Sequence, residues 1–160
     1  MTSRVKASLF DILAPHLYNA SVLDLFAGTG QLGIEALSRG ASHCTFVELD
    51  KKVLSVTKRN ILSTGMESRS TLLQQNVLRF LKQPDSQSFD MIFISPPQYQ
   101  GLVSATMDAL DGHRQVNGNT IIAIQQSSKE PHPLNLERLE MADLRTYGST
   151  NLLFYQAIKP

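Results

Sequence analysis

Short apolar runs alternate with amphipathic stretches along most of this chain. Strands are predicted at short runs of four to six residues rich in apolar or β-branched side chains, at 22–26, 45–49, 70–75, 91–94 and 120–124. Helices are predicted where apolar residues recur three or four positions apart, at 4–13, 31–39, 51–64, 77–81 and 101–110. Such an alternation is typical of a parallel sheet covered by helices.

The end of the chain follows a different pattern. Residues 139–146 and 151–157 are two strand-like runs joined through Tyr147-Gly148-Ser149-Thr150, with no helix between them. Such a short connection allows only an antiparallel pair. We therefore expect a mostly parallel sheet closed by a C-terminal antiparallel hairpin, with ligands beyond the carboxyl ends of the strands. Residues 126–135, which include two prolines, are predicted to form a surface loop.

Composition narrows the class of protein. The chain has 160 residues, 42% hydrophobic and 18% charged, which predicts one globular domain over 1–160. A single cysteine, Cys44, excludes an internal disulfide and a Cys-rich zinc site. A net charge of +1 argues against binding naked nucleic acid by charge alone. No apolar run approaches the roughly 20 residues of a membrane span and no signal peptide is evident, so we expect a cytoplasmic protein without a membrane partner.

A glycine turn after the first predicted strand suggests a cofactor site. Residues 28–33 match G-x-G-x-x-G, and Glu48 lies twenty residues after Gly28, at the end of the next strand. This pattern predicts a nucleotide cofactor whose ribose hydroxyls bind Glu48. Asp24 favours S-adenosylmethionine (SAM) over nicotinamide or flavin, because a buried carboxylate needs a partner and SAM carries an ammonium and a sulfonium. The alternative is a plain tight turn, formed by Gly28 and Gly30 and capped by Asp24.

Two further residues have both a cofactor and a local interpretation. Asn76 follows the third strand, where its side-chain oxygen would accept from an adenine amine and the Val77 N–H would meet a ring nitrogen. Asn76 could equally cap the helix that begins at Val77. Asp50 is predicted to be a helix cap.

Ser95-Pro96-Pro97-Gln98-Tyr99 closes the fourth strand. Two prolines fix the backbone and remove two donors, which leaves carbonyls free to accept from an amine substrate. Accepting those hydrogens helps to pyramidalise a conjugated amino nitrogen, and a ring beside the turn can stack on a base. The alternative is an ordinary proline-rich loop.

Together these motifs resemble the bacterial 16S rRNA guanine-N2 methyltransferases of the RsmD type over nearly the whole chain. The similar stretches are 2–13, 24–30, 33–41, 46–48 and 147–150. Leu-Gly-Ile-Glu-Ala-Leu-Ser-Arg-Gly at 32–40 is the most specific of them, because a generic SAM turn does not require it.

The resemblance implies a Rossmann-like class I SAM-dependent methyltransferase fold with seven strands. It implies a monomer that acts on small-subunit rRNA or on an assembling 30S particle. The implied cofactor residues are Asp24, Phe26, Gly28, Gly30, Glu48, Asn76 and Val77, and those at the amine are Ser95, Pro96, Pro97 and Tyr99. No metal is implied.

The chain also departs from the family pattern. Ser95 replaces the usual Asp or Asn, Gln98 replaces an aromatic residue that Tyr99 could supply one position later, and Asn76 replaces an Asp. The family's short basic β segment before the first helix is absent. These departures leave open an inactive SAM- or RNA-binding relative, or an amino-methyltransferase that acts on DNA adenine or cytosine. An oxidoreductase is disfavoured, since no second substrate domain is present.

Seven basic residues lie between 51 and 82, against one acidic residue, Glu67. They form either a solvated helical face or a contact with an RNA backbone.

Overall fold

A computed structural model describes residues 1–84 and 87–159, in which seven strands form one sheet. The strands are β1 (Ser21–Leu25), β2 (His43–Glu48), β3 (Ser70–Gln74), β4 (Phe89–Ile94), β5 (Val116–Ser127), β6 (Leu139–Tyr147) and β7 (Thr150–Ala157). The helices are α1 (Ser3–Leu13), α2 (Gln31–Ser38), α3 (Lys51–Ser63), α4 (Val77–Leu81) and α5 (Leu102–Leu110).

The strand order across the sheet is β3-β2-β1-β4-β5-β7-β6. The pairs among β1 to β5 are parallel, whereas β7 is antiparallel to both β5 and β6. The predicted mostly parallel sheet with a C-terminal antiparallel hairpin is therefore confirmed. The order reverses direction between β1 and β4, which is the switch point where ligands bind in such sheets.

Helices cover both faces of the sheet. One buried cluster packs α1, α2 and α3 against side chains such as Phe46 and Phe93, and the rings of Phe10 and Phe93 lie 5.8 Å apart. The other packs α4 and α5 against side chains such as Ile94 and Ile124. The central strands are buried on both faces, which explains their nearly continuous apolar runs.

The ends of β5 and β2 are among those that differ from the predicted bounds. β5 continues through Gln126 and Ser127, which were expected in a loop, because these polar residues pair with Asn151 and Thr150 of β7. β2 ends at Glu48, and Leu49 beyond it is 60% exposed. In the described residues no helix is both long and apolar enough to cross a membrane.

Candidate functional site

A cleft of about 800 Å³ opens at the carboxyl ends of the parallel strands. It brings together the predicted residues Phe26, Gly28, Glu48, Asn76, Val77, Ser95, Pro96 and Pro97. Because β1 and β4 are neighbours, the glycine turn after β1 and the proline turn after β4 face each other across this space. Asp24, Gly30 and Tyr99 do not line the cleft.

The two glycines of the turn are required for different reasons. Gly28 has φ +58°, and a Cβ there would meet nothing within 4 Å, so its backbone borders open space. Gly30 has φ +87°, and a Cβ there would lie 2.8 Å from Thr57 Cγ2 on α3. Phe26 also adopts a positive φ, 59°, which is unusual for a bulky residue and marks a constrained backbone at the site.

Helix α3 holds the glycine turn in place through two side chains that the sequence patterns did not single out for this role. Thr57 Oγ1 donates to the Gly28 carbonyl at 2.5 Å, and Asn60 Nδ2 donates to the Thr29 carbonyl at 2.9 Å. These hydrogen bonds join residues about thirty positions apart along the chain. Nothing in the sequence pattern signals such pairs.

Glu48 connects the end of β2 to the glycine turn. Its Oε1 accepts from the Gly28 N–H at 3.0 Å, and its Oε2 accepts from the Asp50 N–H at 2.9 Å. A carboxylate oxygen can accept more than one hydrogen bond. Glu48 therefore keeps acceptor capacity toward the cleft while its position is fixed.

Asp24 lies beneath the turn and is 1% exposed. Its Oδ2 accepts from the Gly33 N–H in the first turn of α2, at 3.2 Å. Burial, with a smaller contribution from the charge of Glu48, raises the pKa of Asp24 to about 8, against the opposing effect of the Gly33 hydrogen bond. These interactions match the capping alternative for Asp24, in which it supports the turn from below.

Asn76 both lines the cleft and caps a helix. Its side chain accepts from the Arg79 N–H at 3.2 Å, so the predicted capping role is confirmed. The predicted cap at Asp50 is likewise confirmed, since its Oδ1 accepts from the Lys52 N–H at 2.8 Å. A contact between Asn76 or Val77 and an adenine stays a prediction.

Ser95 stands at the cleft edge, where its Oγ donates to Gln125 Oε1 at 2.7 Å. Tyr99 lies on the other side of the same turn, in a neighbouring cleft of about 250 Å³. Tyr99 as a whole residue is 63% exposed, but it is held in place because its hydroxyl lies 2.8 Å from Ser127 Oγ and its backbone N–H donates to Glu130.

Several cleft residues were not predicted from the sequence as site residues: Leu49, Asp50, Val53, Gln100 and Leu102. Leu49 carried a usable signal, since it is an apolar residue directly after the acidic end of a strand. Its 60% exposure leaves apolar surface facing the cleft.

The basic residues between 51 and 82 separate into two kinds. Lys51, Lys52, Lys58 and Arg59 are exposed on α3, the helix whose first turn borders the cleft. Arg69 instead donates to the Leu37 and Ala41 carbonyls at 3.2 and 2.7 Å, which is a structural role. Over residues 1–84 and 87–159, no group of three or more acidic, His or Cys side chains could hold a metal ion.

The donor set indicates what the cleft could hold. Glu48 offers carboxylate acceptors, Leu49, Val53 and Val77 offer apolar surface, and the Gly28 backbone leaves open space. A ligand with ribose hydroxyls and a flat apolar ring fits this arrangement. The proline turn lines the other side of the same cleft, where the Ser95 hydroxyl could accept from a second molecule.

Comparisons with known proteins agree with this geometry. A family model described as conserved hypothetical protein 95 matches residues 1–156. Ribosomal RNA small subunit methyltransferase D of Haemophilus influenzae is 35% identical over 155 residues, which are 96% of this chain and 80% of that protein. The protein of the same name from Buchnera aphidicola is 36% identical over 129 residues, 81% of this chain and 67% of the relative. A solved structure of yhhF from Escherichia coli, a proposed methyltransferase, has a TM-score of 0.91 at 28% identity and covers 99% of this chain and 89% of that chain.

Proposed function

The chain belongs to the conserved hypothetical protein 95 family, and we propose that it is a SAM-dependent methyltransferase that acts on an exocyclic amino group, guanine N2, in small-subunit rRNA. The predicted resemblance to RsmD-type methyltransferases is confirmed by the Haemophilus and Buchnera relatives. The observation that carries the proposal is the single cleft shared by the Gly28 turn and the Ser95 turn.

The glycine turn and the residues around it in the cleft are proposed to hold the cofactor. Glu48 accepts from the ribose hydroxyls, and Leu49 and Val77 cover the adenine ring. Phe26 and the open backbone at Gly28 border the rest of the ligand. When bound, SAM supplies a methyl group on a positively charged sulfur that leaves as a neutral thioether.

The residues of the second turn are proposed to hold the amine. Ser95 Oγ and the carbonyls of the proline turn accept its N–H hydrogens, which helps the nitrogen lone pair to leave conjugation with the ring. Bound SAM would supply the methyl group for the new N–C bond at this nitrogen, and the amine proton released there would pass to water. Positioning of this kind can contribute roughly 7–11 kcal/mol to a transfer.

Tyr99 is proposed to stack on RNA from the neighbouring cleft. Its ring is exposed but held by Ser127 and Glu130, so it offers a flat surface that is already ordered. The ring lies outside the cofactor cleft, so it would contact the nucleotide strand beside the reacting amine.

The basic face of α3 is proposed to contact the RNA backbone. Lys51, Lys52, Lys58 and Arg59 share one side of the helix, because seven residues make about two turns. A net charge of +1 suits an assembling 30S particle better than naked RNA. We place the enzyme there as a cytoplasmic monomer.

The direct test is transfer of tritiated methyl from SAM to small ribosomal subunits from cells that lack this modification. Nucleosides from the product are then separated by mass spectrometry, and N2-methylguanosine is the expected product. SAM binding without transfer to any particle would instead identify an inactive relative. Methyl groups found on duplex DNA would move the enzyme to the other amino-methyltransferases.

A further inference from the structure

Ser95 and Gln125 occupy matching places on neighbouring strands. In the parallel pair of β4 and β5, Ile94 lies beside Ile124, and Ser95 and Gln125 are the next residues of the two segments. Their side chains meet, since Ser95 Oγ donates a hydrogen bond to Gln125 Oε1 at 2.7 Å. Both residues are half-buried, and Ser95 lines the cleft whereas Gln125 does not.

This hydrogen bond determines whether the Ser95 hydroxyl can donate to, or only accept from, a molecule in the cleft. A hydroxyl has one hydrogen to donate and two lone pairs that accept. Because Gln125 takes the hydrogen, Ser95 can only accept from a molecule in the cleft. A serine without such a partner would rotate and present either its hydrogen or its lone pairs.

We propose that Gln125 is a positioning residue for methyl transfer, which holds the Ser95 hydroxyl so that its lone pairs accept from the exocyclic amine. The inference rests on the proposed function, because the amine supplies the N–H hydrogens. Through this pair a neutral serine becomes a one-way acceptor at the reacting nitrogen. Gln125 acts through Ser95, so its effect requires Ser95 to be present.

The other explanation for the pair is a purely structural tie between β4 and β5, and a double-mutant cycle separates the two. Gln125→Met keeps the side-chain length but replaces the amide group with a thioether, whose methyl cannot accept and whose sulfur is a weak acceptor. Gln125→Glu keeps an acceptor at the same place. Gln125→Asn keeps the amide but shortens its reach, and serves as a second probe should the Met variant fold poorly.

Rates are measured with tritiated SAM and undermethylated small ribosomal subunits, both at saturation. Gln125→Met and Gln125→Asn should lower kcat by about 3- to 10-fold, the range expected for one neutral hydrogen bond. The SAM Kd and the melting temperature should stay unchanged, and Gln125→Glu should recover most of the rate. In a Ser95→Ala background, Gln125→Met should cost less than about twofold, because the hydrogen bond is already absent.

Gln156→Met is the matched control, a half-buried glutamine near the end of β7, away from the carboxyl ends of the parallel strands. An equal cost of Gln125→Met with and without Ser95 would make the pair a structural tie and overturn the inference. If the parent enzyme is active and Gln125→Met has the same kcat, the positioning role of Gln125 is overturned while the proposed function stands. A parent that binds SAM but methylates no ribosomal subunit would overturn the proposed function as well.

Discussion

The Glu48 carboxylate bridges the end of β2 and the backbone of the glycine turn, with its Oε1 3.0 Å from the Gly28 nitrogen. The second oxygen accepts from the N–H of Asp50, the residue that caps α3. One side chain therefore orders the turn, the start of a helix and the acceptor that faces the cleft.

Replacing Glu48 should weaken cofactor binding, moderately in Glu48→Gln and more strongly in Glu48→Ala. Glu48→Gln keeps one side-chain oxygen but loses the charge, and Glu48→Ala loses both acceptors. We expect a SAM Kd about 10-fold higher for Gln and up to about 100-fold higher for Ala, since hydrogen bonds to charged groups contribute about 1.5–3 kcal/mol. Calorimetric titration with SAM measures both, and an unchanged Kd in the two variants would contradict the assignment of the cofactor to this cleft.

Asp24 should make stability depend on pH. Its pKa is about 8 in the folded protein and near 3.8 for an ordinary aspartate, so between these values the folded state holds a proton that the unfolded chain has released. This contribution to stability is present in full below about pH 4 and is lost as the pH rises through 8.

The side chain in Asp24→Asn cannot ionise, so this variant should not lose that stability as the pH rises. Its melting temperature should therefore improve by several degrees relative to the parent between pH 5 and pH 8, given about 2–4 °C per kcal/mol in a protein of this size. Melting curves at the two pH values measure the difference. Parallel pH profiles would show that Asp24 is not held as a neutral acid.

The strands whose buried residues are apolar were predictable from the sequence, and the ends of β5 and β2 were not. β4 is apolar on both faces because helices cover both, so its pattern is plain. Gln126 and Ser127 extend β5 with buried polar side chains, because they pair with Asn151 and Thr150 of β7. Leu49 is the opposite case, because it is an apolar residue that is exposed at the cleft instead of buried in the sheet.

The candidate site divides in the same way. Glu48 and Gly28 follow from motif spacing, since parallel strands bring their carboxyl ends to one edge. The pairing of Ser95 with Gln125 joins residues thirty positions apart, and no local pattern encodes it. The motif did not encode the hydrogen bond that Asp24 accepts from Gly33, and a contact between Asp24 and the cofactor stays a prediction.

Gly33 should be intolerant of any side chain, for steric reasons alone. A Cβ there would lie 2.7 Å from Cys44 Sγ and would also overlap the ring of Phe46, both fully buried. We expect Gly33→Ala to destabilise the fold by about 1–3 kcal/mol or more, as overpacking does, with a lower melting temperature. Gly118→Ala is the control, because a Cβ there meets nothing within 4 Å. Equal stability of the two variants would contradict the close packing of α2 on β2.

The basic face of α3 should contribute to RNA recognition without touching the cofactor. Lys51→Gln with Lys58→Gln removes two exposed charges from α3, so we expect a several-fold higher KM for ribosomal subunits and an unchanged SAM Kd. The dependence of log KM on log salt should become shallower by about 0.7–0.9 for each phosphate that the variant no longer neutralises. Arg145→Gln on edge strand β6, with Lys159→Gln after β7, removes the same charge away from α3 and is the control, although it also breaks the Arg145–Asp143 ion pair. If both pairs raised KM and flattened the salt dependence equally, net charge alone would explain the effect, and α3 would be only a solvated face.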